Sequence, residues 1–349
     1  MKDKKRKEYS ELNIERWPIF CTLERGKTEK SRVIEREIKT ENGIEKQKVI
    51  VGYVEGIGTL YVCDYVNYSL LVNVALKKTE DGRLITSLLS LIKELDLGES
   101  ARNYDAFKKS LIRLSSVPMY FKNSFIGKDG KVINIEGALT LLSSVKIFER
   151  KKDIEQGQGY LGLSEIVINP VIWRSIKERN VKPIRLDVLK NLRSETAILL
   201  YKHIDLVMFD KKVYERDIVE LAEDVGITEK RVRRIRLRIQ KAIKELEGKE
   251  LTSGRIKKIE IVKSETGSGW KIRVEKGKHI KDSEQQQQIE EREYWLNVYN
   301  NLSAEEKAEV DKYVDEQMKR FYELTGRDGG DIYRELVIIE YLKEKGGKK

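Results

Sequence analysis

The chain has 349 residues, and its 69 lysines and arginines outnumber its 58 aspartates and glutamates to give a formal net charge of +11. Its two cysteines have no metal-ligand spacing and no apolar run approaches the roughly 18 residues of a membrane span, which excludes a disulfide scaffold and a membrane protein. We therefore expect about two domains in a cytoplasmic protein with no membrane association. The excess of basic residues is informative about partners only where lysines and arginines cluster.

The first part of the chain is predicted to form a hairpin followed by three helices. Apolar and polar residues alternate from 33 to 51 around Asn42-Gly43, a dipeptide suited to a tight turn. Helical periodicity follows, with Asp64 as the expected N-cap of the first helix. The three helices are expected at residues 64–77, 85–97 and 103–116.

The third of these helices is followed by a second predicted hairpin. Its strands are expected at residues 118–126 and 131–137, joined through Asp129-Gly130. A helix that precedes a hairpin is typical of a DNA-binding winged helix, in which the helix reads the major groove. The alternative interpretation is an ordinary helical layer with incidental lysines. The helix is predicted to bury Tyr104, Phe107, Leu111 and Leu114 and to present Arg102, Lys109 and Arg113 outward.

Residues 191–277 carry the strongest DNA-binding pattern. A helix over 193–208 and a short amphipathic helix over 218–226 are followed by a long helix that is rich in arginine. Gly226 lies where a helix-turn-helix needs a residue that tolerates positive φ, and Thr228 is the expected N-cap of the long helix.

The long helix separates into an apolar face and a basic face when its residues are placed at about 100° steps. The apolar stripe predicts a buried face, and the opposite face has no carboxylate, which suits contact with phosphate. The alternative is a solvated basic helix in a bundle. The buried stripe is expected to comprise Val232, Ile235, Ile239, Ala242, Ile243 and Leu246. The candidate DNA contacts are Lys230, Arg231, Arg233, Arg234, Leu237, Arg238 and Lys241.

A hairpin with the pattern of a wing follows at once. Ile259 and Ile261 alternate with polar residues in its first strand, and Trp270, Ile272 and Val274 alternate with polar residues in its second. The loop over 264–269 is predicted to lie along a phosphate backbone. The candidate DNA contacts of this hairpin are Lys258, Lys271 and Arg273.

The remaining segments complete the expected domain organisation. A capping-box pattern at Ser303 and Glu306 starts a predicted helix that runs to about residue 324, and a last helix is expected over 331–343. The fold class is thus α+β, with two tandem winged-helix domains, an added N-terminal β-hairpin and a helical C-terminal tail. Its parts are the first winged helix and hairpin in 1–150, a connector with strands packed on the domains in 151–190, the second winged helix in 191–277, and a polar linker with the helical tail in 278–349.

Four segments together resemble the plasmid replication initiators of the replication initiator protein A type. They are NIERWPIF, TLYVCDYVNYSLL, YDAFKKSLIRLSSVPMYF and KPIRLDVLKNLRSETAILLYKHID, and the similarity of arrangement spans about residues 9 to 270. The resemblance implies two winged-helix domains that bind repeated double-stranded DNA sites in an origin, promote opening of adjacent AT-rich DNA and recruit the host replicative helicase and initiator. It also implies a homodimer that represses its own gene. Applied to this chain, the resemblance implies that Arg102, Lys109 and Arg113 contact DNA in the first domain and residues 230–241 in the second.

Catalysis is not expected from the motifs. A rolling-circle nickase needs paired histidines, but His203 and His279 are far apart in the sequence. No segment has the glycine-rich spacing of a phosphate-binding loop that ends in Gly-Lys-Ser/Thr. We therefore expect no enzymatic activity and no cofactor. Two functional hypotheses are kept: an origin-binding initiator, and a winged-helix transcriptional regulator with an N-terminal sensing or dimerisation domain.

Overall fold

The structure is a computed structural model that describes residues 8–22, 30–40, 43–133, 135, 137–147, 163–264, 269–279, 292, 294–325 and 330–346. Its 48% helix and 26% strand confirm the α+β class. The chain forms two compact units, the first ending at Gly277 and the second beginning at Lys278. The predicted wing tip at 265–268 and the polar linker at 280–291 lie outside the described residues.

The first half of the larger unit begins with a short strand and helix and contains two three-stranded antiparallel sheets. The sheet orders are β2-β3-β5 and β4-β7-β6. The elements are β1 (Glu8–Glu11), α1 (Leu12–Arg16), β2 (Arg32–Thr40), β3 (Gly43–Val51), α2 (Val62–Lys78), β4 (Arg83–Ser87), α3 (Leu88–Glu94), α4 (Ala101–Ser116), β5 (Met119–Lys122), β6 (Leu142–Ile147) and β7 (Leu163–Ile168).

The second half of the larger unit contains a four-stranded sheet of order β10-β11-β12-β9, and β8 pairs with β1. The elements are α5 (Pro170–Lys177), β8 (Val181–Ile184), α6 (Leu186–Asn191), α7 (Glu195–Val207), β9 (Val213–Asp217), α8 (Ile218–Val225), α9 (Val232–Leu246), β10 (Glu250–Leu251), β11 (Gly254–Lys263) and β12 (Trp270–Gly277). The helices predicted over 193–208 and 218–226 and the hairpin predicted from 258 to 274 are confirmed.

One arrangement of elements occurs twice in the larger unit. Residues 62–168, here named the first repeat, and residues 195–277, the second repeat, each contain a helix, a strand, two further helices and a closing pair of strands. In both repeats the strand after the first helix pairs with the last strand, which gives the matching orders β4-β7-β6 and β9-β12-β11. Helices α4 and α9 therefore occupy equivalent positions in the two repeats.

The hairpin predicted over residues 118–137 is wrong. Its first strand, β5, pairs with β3 instead, with Phe121 opposite Val49. Among the described residues of 123–137, the ladder is reduced to a single bridge between Ile126 and Val132. The turn signal is local, whereas the pairing with β3 buries Phe121 and Val49 in the core and therefore prevails. The closing strands of the first repeat are β6 and β7, and β7 lies in the range predicted as the connector.

Two helix starts also differ from the prediction. Residues 83–87 form β4, so α3 begins at Leu88, where the Ser87 hydroxyl accepts a hydrogen bond from the amide of Ser90 at 3.0 Å. The β-branched side chains of Ile85 and Thr86 favour the strand. Asp64 is not the N-cap of α2, because the helix begins at Val62 and the Asp64 carboxylate accepts the amide of Tyr61 at 2.8 Å from within the first turn.

The unit that begins at Lys278 has its own small apolar core. Helical residues 294–300 are followed by α10 (Ala304–Thr325) and α11 (Gly330–Gly346), which confirms the two predicted helices. The predicted capping box is present, since Glu306 accepts the amide of Ser303 at 2.9 Å and donates its own amide to the Ser303 hydroxyl at 3.3 Å. Within the described ranges, no helix combines the length and the apolar character needed to cross a membrane.

Candidate nucleic-acid interface

Helix α9 packs one apolar stripe against the second repeat and leaves its basic face open. Ile235, Ile239, Ala242 and Leu246 are buried, as predicted. Val232 was expected to join them but is 47% exposed. Val232 is the first residue of the helix and, at 100° steps, lies at the edge of the stripe.

The start of α9 differs from the prediction that Thr228 caps the helix. The N-cap is Arg231, and the amides of Lys230 and Arg231 instead donate to the Glu229 carboxylate at 3.0 Å each. The buried Thr228 hydroxyl has no hydrogen-bond partner among the described residues. No side chain caps the helix, and the Glu229 carboxylate instead binds the two amides directly before it, near the positive end of the helix dipole.

The open face of α9 is strongly basic. Arg234 lies 3.6 Å from the carboxylate of Glu229, which is nearly buried just before the helix, so this arginine has an acidic neighbour. Arg238 is half-buried and donates to the Thr22 hydroxyl at 3.4 Å. Leu237 is 46% exposed between the cations. The exposed cations on and just before α9 are Lys230, Arg231, Arg233, Arg234, Lys241 and, in the last turn, Lys244.

The cations of the β11–β12 hairpin are partly neutralised. Lys258 is exposed but lies 2.8 Å from Glu260. Arg273 is half-buried between Glu215 at 3.5 Å and Glu275 at 3.3 Å. Lys271 is half-buried opposite Asp217 of β9. Acidic residues from the same strand and from β9 thus lie beside these cations, so the hairpin contributes less positive potential than the sequence predicted.

Sequence reasoning missed a contact that joins α9 to the hairpin. The Arg236 guanidinium lies 4.4 Å from the ring centroid of Trp270, the first residue of β12. A cation over an indole ring is attracted by about 0.5–1 kcal/mol at exposed sites. The tryptophan at the start of the second predicted strand was the available signal, but its partner could be found only once the strand was placed against the helix. The contact fixes the hairpin beside the basic face.

In the first repeat, α4 presents a weaker basic face than α9. Arg102 and Lys109 are exposed, as predicted. Arg113 was expected to point outward, but its guanidinium donates to both carboxylate oxygens of Asp64, at 2.8 and 2.7 Å. Because Asp64 is fully buried, the arginine is held inward by a charge that would otherwise be unpaired. Arg113 therefore orients α2 against α4, and its prediction as an outward-facing residue is corrected.

The structure places His203 on α7, within the second repeat. Its Nε2 lies 2.9 Å from the Tyr214 hydroxyl, and burial lowers the pKa of His203 from 6.5 to about 4. Among the described residues, no cluster of three or more histidine, cysteine, aspartate or glutamate side chains could hold a metal ion.

The lowered pKa predicts how stability depends on pH. The unfolded chain binds a proton at His203 below about pH 6.5, whereas the folded protein does so only near pH 4, so stability falls as the pH falls through this window. Between pH 7 and 4, the stability advantage of the wild type over His203→Gln should shrink by about 3 kcal/mol. Urea unfolding of both proteins at each pH measures this difference in the free energy of unfolding. The His279→Gln variant should keep the wild-type pH dependence, and an equal loss of pH dependence in both variants would contradict the assignment.

Comparison with known proteins shows a likeness of fold and leaves function open. No family model and no curated protein sequence matches the chain. The fold is similar to the crystal structure of domains 2 and 3 of RctB, with 9% identity and a TM-score of 0.50 over 76% of this chain and 98% of that chain. A second crystal structure of RctB domains 2–3 aligns with 11% identity and a TM-score of 0.47, over 75% of this chain and 95% of that chain. At this identity the likeness concerns the fold alone.

Proposed function

We propose that this protein is a replication initiator that binds double-stranded DNA through two winged-helix domains. The observation that carries the proposal is the basic face of α9, which stands beside a β-hairpin in an arrangement that occurs twice in the chain. The likeness to RctB, a replication initiator, supports the same class of function. The two repeats correspond to the two proposed winged helices.

The proposed binding mode assigns the basic residues of α9 to bases and those of the β11–β12 hairpin to phosphates. Helix α9 enters the major groove, where exposed arginines such as Arg233 and Arg234 can donate two hydrogen bonds to the O6 and N7 acceptors of guanine. The β11–β12 hairpin lies along the backbone, with Lys258 and Lys271 near phosphates. In the first repeat, α4 contributes Arg102 and Lys109 at a neighbouring groove. Recognition is therefore expected to depend mainly on the second repeat.

The finer features of the proposal come from the resemblance to plasmid initiators. The protein binds repeated sites in a plasmid origin, promotes opening of the adjacent DNA, and recruits the host replicative helicase and initiator. It represses its own gene as a homodimer and has no enzymatic activity of its own.

One observation favours the second candidate, a transcriptional regulator whose first repeat senses a ligand or dimerises. Arg113 is withdrawn from the open face of α4, which leaves Arg102 and Lys109 as the predicted cations there. A first repeat that does not bind DNA would give protection over a single helical turn. The extent of protection therefore distinguishes the two candidates.

Selection of duplexes from a random library by the full chain tests the proposal. An initiator of this type should enrich one sequence family and bind it at least about 1,000 times more tightly than unrelated duplex DNA. The matched control is a chain in which Arg233 and Arg234 are both replaced by glutamine, which should enrich no sequence. If the wild type also enriched no sequence, specific DNA recognition would be rejected.

Single substitutions should separate base reading from phosphate contact. Arg234→Ala is expected to cost about 1–3 kcal/mol on the selected duplex and to relax the preference at one base pair. Lys258→Ala should weaken binding to every sequence by the same smaller factor, because Glu260 already neutralises part of its charge. Affinities on the selected duplex and its single-base variants measure both effects. The control is Lys190→Ala, which removes an exposed lysine on α6 and should leave the affinity unchanged. If Arg234→Ala weakened binding to all sequences equally, Arg234 would contact phosphate and not a base.

A further inference from the structure

Residues 8–22, here named the N-terminal splint, run between the two repeats. The splint contains β1 and α1, and β1 pairs with β8 of the segment that joins the repeats. Ile14 and Ile19 are fully buried, and Trp17 and Phe20 are nearly so. The splint is therefore part of the core of the larger unit.

On one side the splint is tied to the first repeat. The side-chain amide of Asn73 on α2 accepts from and donates to the backbone of Tyr9, at 2.9 and 2.8 Å. The Trp17 indole donates to the carbonyl of Ser124 at 3.2 Å, and the amide of Val62, the first residue of α2, donates to the carbonyl of Cys21 at 3.2 Å. These bonds lie along the whole segment, so the splint is fixed to the first repeat at both of its ends.

On the other side the splint is tied to the helices that position α9. Lys202 of α7 is buried, and its ammonium donates to the carbonyls of Ile14, Glu15 and Trp17 at 2.9, 2.9 and 3.1 Å. The amide of Thr22 donates to the carbonyl of Gly226 at 3.4 Å, in the turn between α8 and α9. The end of the splint therefore contacts the turn that leads into α9.

Arg36 completes a continuous path between the two basic helices. It lies on β2, in the sheet that β5 joins directly after α4. Its guanidinium donates to the carbonyl of Arg16 at 2.9 Å, lies 4.8 Å over the ring of Trp17, and approaches the Asp224 carboxylate of α8 to 3.7 Å. The path thus runs from α4 through its sheet to Arg36, and from Arg36 to α8, which leads into α9.

We propose that Arg36 and Lys202 are positioning residues that hold α9 at one orientation to the first repeat, so that the protein selects the spacing between its two DNA contact sites. This inference rests on the proposed binding of DNA by both repeats. Each added base pair moves a site by about 3.4 Å along the duplex and rotates it by about 35°. A rigid pair of repeats cannot follow such a displacement, whereas a loosened pair can.

The test uses the duplex that the wild-type full chain selects from a random library, with 1, 2 or 3 base pairs inserted between its two protected segments. The wild type should lose at least about tenfold in affinity with two inserted base pairs, since it must twist the DNA to reach both sites. Arg36→Met should lose less than about threefold for the same insertion. Arg36→Lys, which keeps a cation near Asp224, should restore the wild-type penalty.

The controls separate positioning from general damage. Lys48→Met removes a cation of the same sheet that pairs with Glu35 at 2.8 Å, and it should keep the wild-type spacing penalty. Lys202→Met leaves three buried carbonyls without their donor and can unfold the unit, so Arg36→Met is the primary variant. In Arg36→Met, Asp224 still has an ion pair with Arg216 at 3.0 Å, which limits the damage to the fold.

Three results would overturn the inference. A wild type that protects two segments but tolerates every insertion would show that the repeats are not held rigidly. A spacing penalty unchanged in Arg36→Met would show that this residue does not position them. A wild type that protects a single segment would instead reject binding by both repeats, and this inference would fail with it.

A second measurement needs no DNA. Spin labels at Lys109→Cys on α4 and Lys241→Cys on α9, in a Cys63→Ser background, report the distance between the two helices. The distribution should be narrow in the otherwise wild-type chain and broader with Arg36→Met. Equal widths would contradict the positioning role.

Discussion

Ile235→Asp is expected to destabilise the protein by at least about 4 kcal/mol, because the change removes a buried apolar side chain and places an unpaired carboxylate in the core. Ile235 is 1% exposed at the centre of the stripe that α9 packs inward. Urea unfolding followed by circular dichroism measures the free energy of unfolding. The loss should be smaller at acidic pH, where the carboxyl group is protonated and burial costs less.

Leu237→Asp is the matched control for this experiment. It introduces the same charge two residues away, on the face of α9 where Leu237 is 46% exposed. Its stability should change by less than about 1 kcal/mol. Similar losses in both variants would mean that α9 is not oriented with Ile235 inward.

Gly226→Ala is expected to cost at least about 3 kcal/mol, from a positive-φ penalty of about 1–2 kcal/mol and an additional steric penalty. Gly226 has φ 85°, and a Cβ atom at this position would overlap the carbonyl oxygen of Phe20 in the splint. The substitution must therefore displace either the turn before α9 or the splint. Chemical unfolding gives the total cost.

Gly248→Ala is the control that carries the backbone penalty without the steric penalty. Gly248 has φ 74°, so alanine suffers a similar backbone penalty, but a Cβ there would meet no atom within 4 Å. The two alanine variants should therefore differ by at least about 1 kcal/mol. Equal costs would mean that the contact between the splint and the turn does not constrain α9.

The second repeat could be predicted from the sequence because its signals are local. The 100° periodicity of α9, the alternation in β11 and β12, and the positive φ of Gly226 all act over a few residues. The same holds for the capping box at Ser303. These local signals agree with the global fold, and the elements they predict were confirmed, although Thr228 does not cap α9 and Val232 is exposed.

The first repeat was predicted less well because its sheet forms between distant segments. β4 pairs with β7, about 80 residues later, and β5 leaves a strong local turn at Gly130 to pair with β3. No local pattern in a single sequence specifies which distant edge a short strand will join. The second hairpin was therefore assigned to residues 118–137 instead of to β6 and β7.

In the candidate site too, the features set by local sequence could be predicted, and those set by distant contacts could not. The exposed cations of α9 follow from helical periodicity, which placed Arg233 and Arg234 on the open face. The burial of Arg113 depends on Asp64 from another helix, and the position of Arg236 depends on Trp270 from the hairpin. Such pairs decide which arginines remain available to a ligand, and they become visible only in the folded chain.

Footprinting of the full chain on the DNA that flanks its own gene, at several salt concentrations and against a shuffled control, tests the central proposal most directly. We expect specific protection over repeated sites of about two helical turns each, with a log–log salt slope of roughly −5 or steeper. Equal, salt-labile binding to both DNAs would contradict sequence-specific initiation and leave only nonspecific DNA binding by a basic surface.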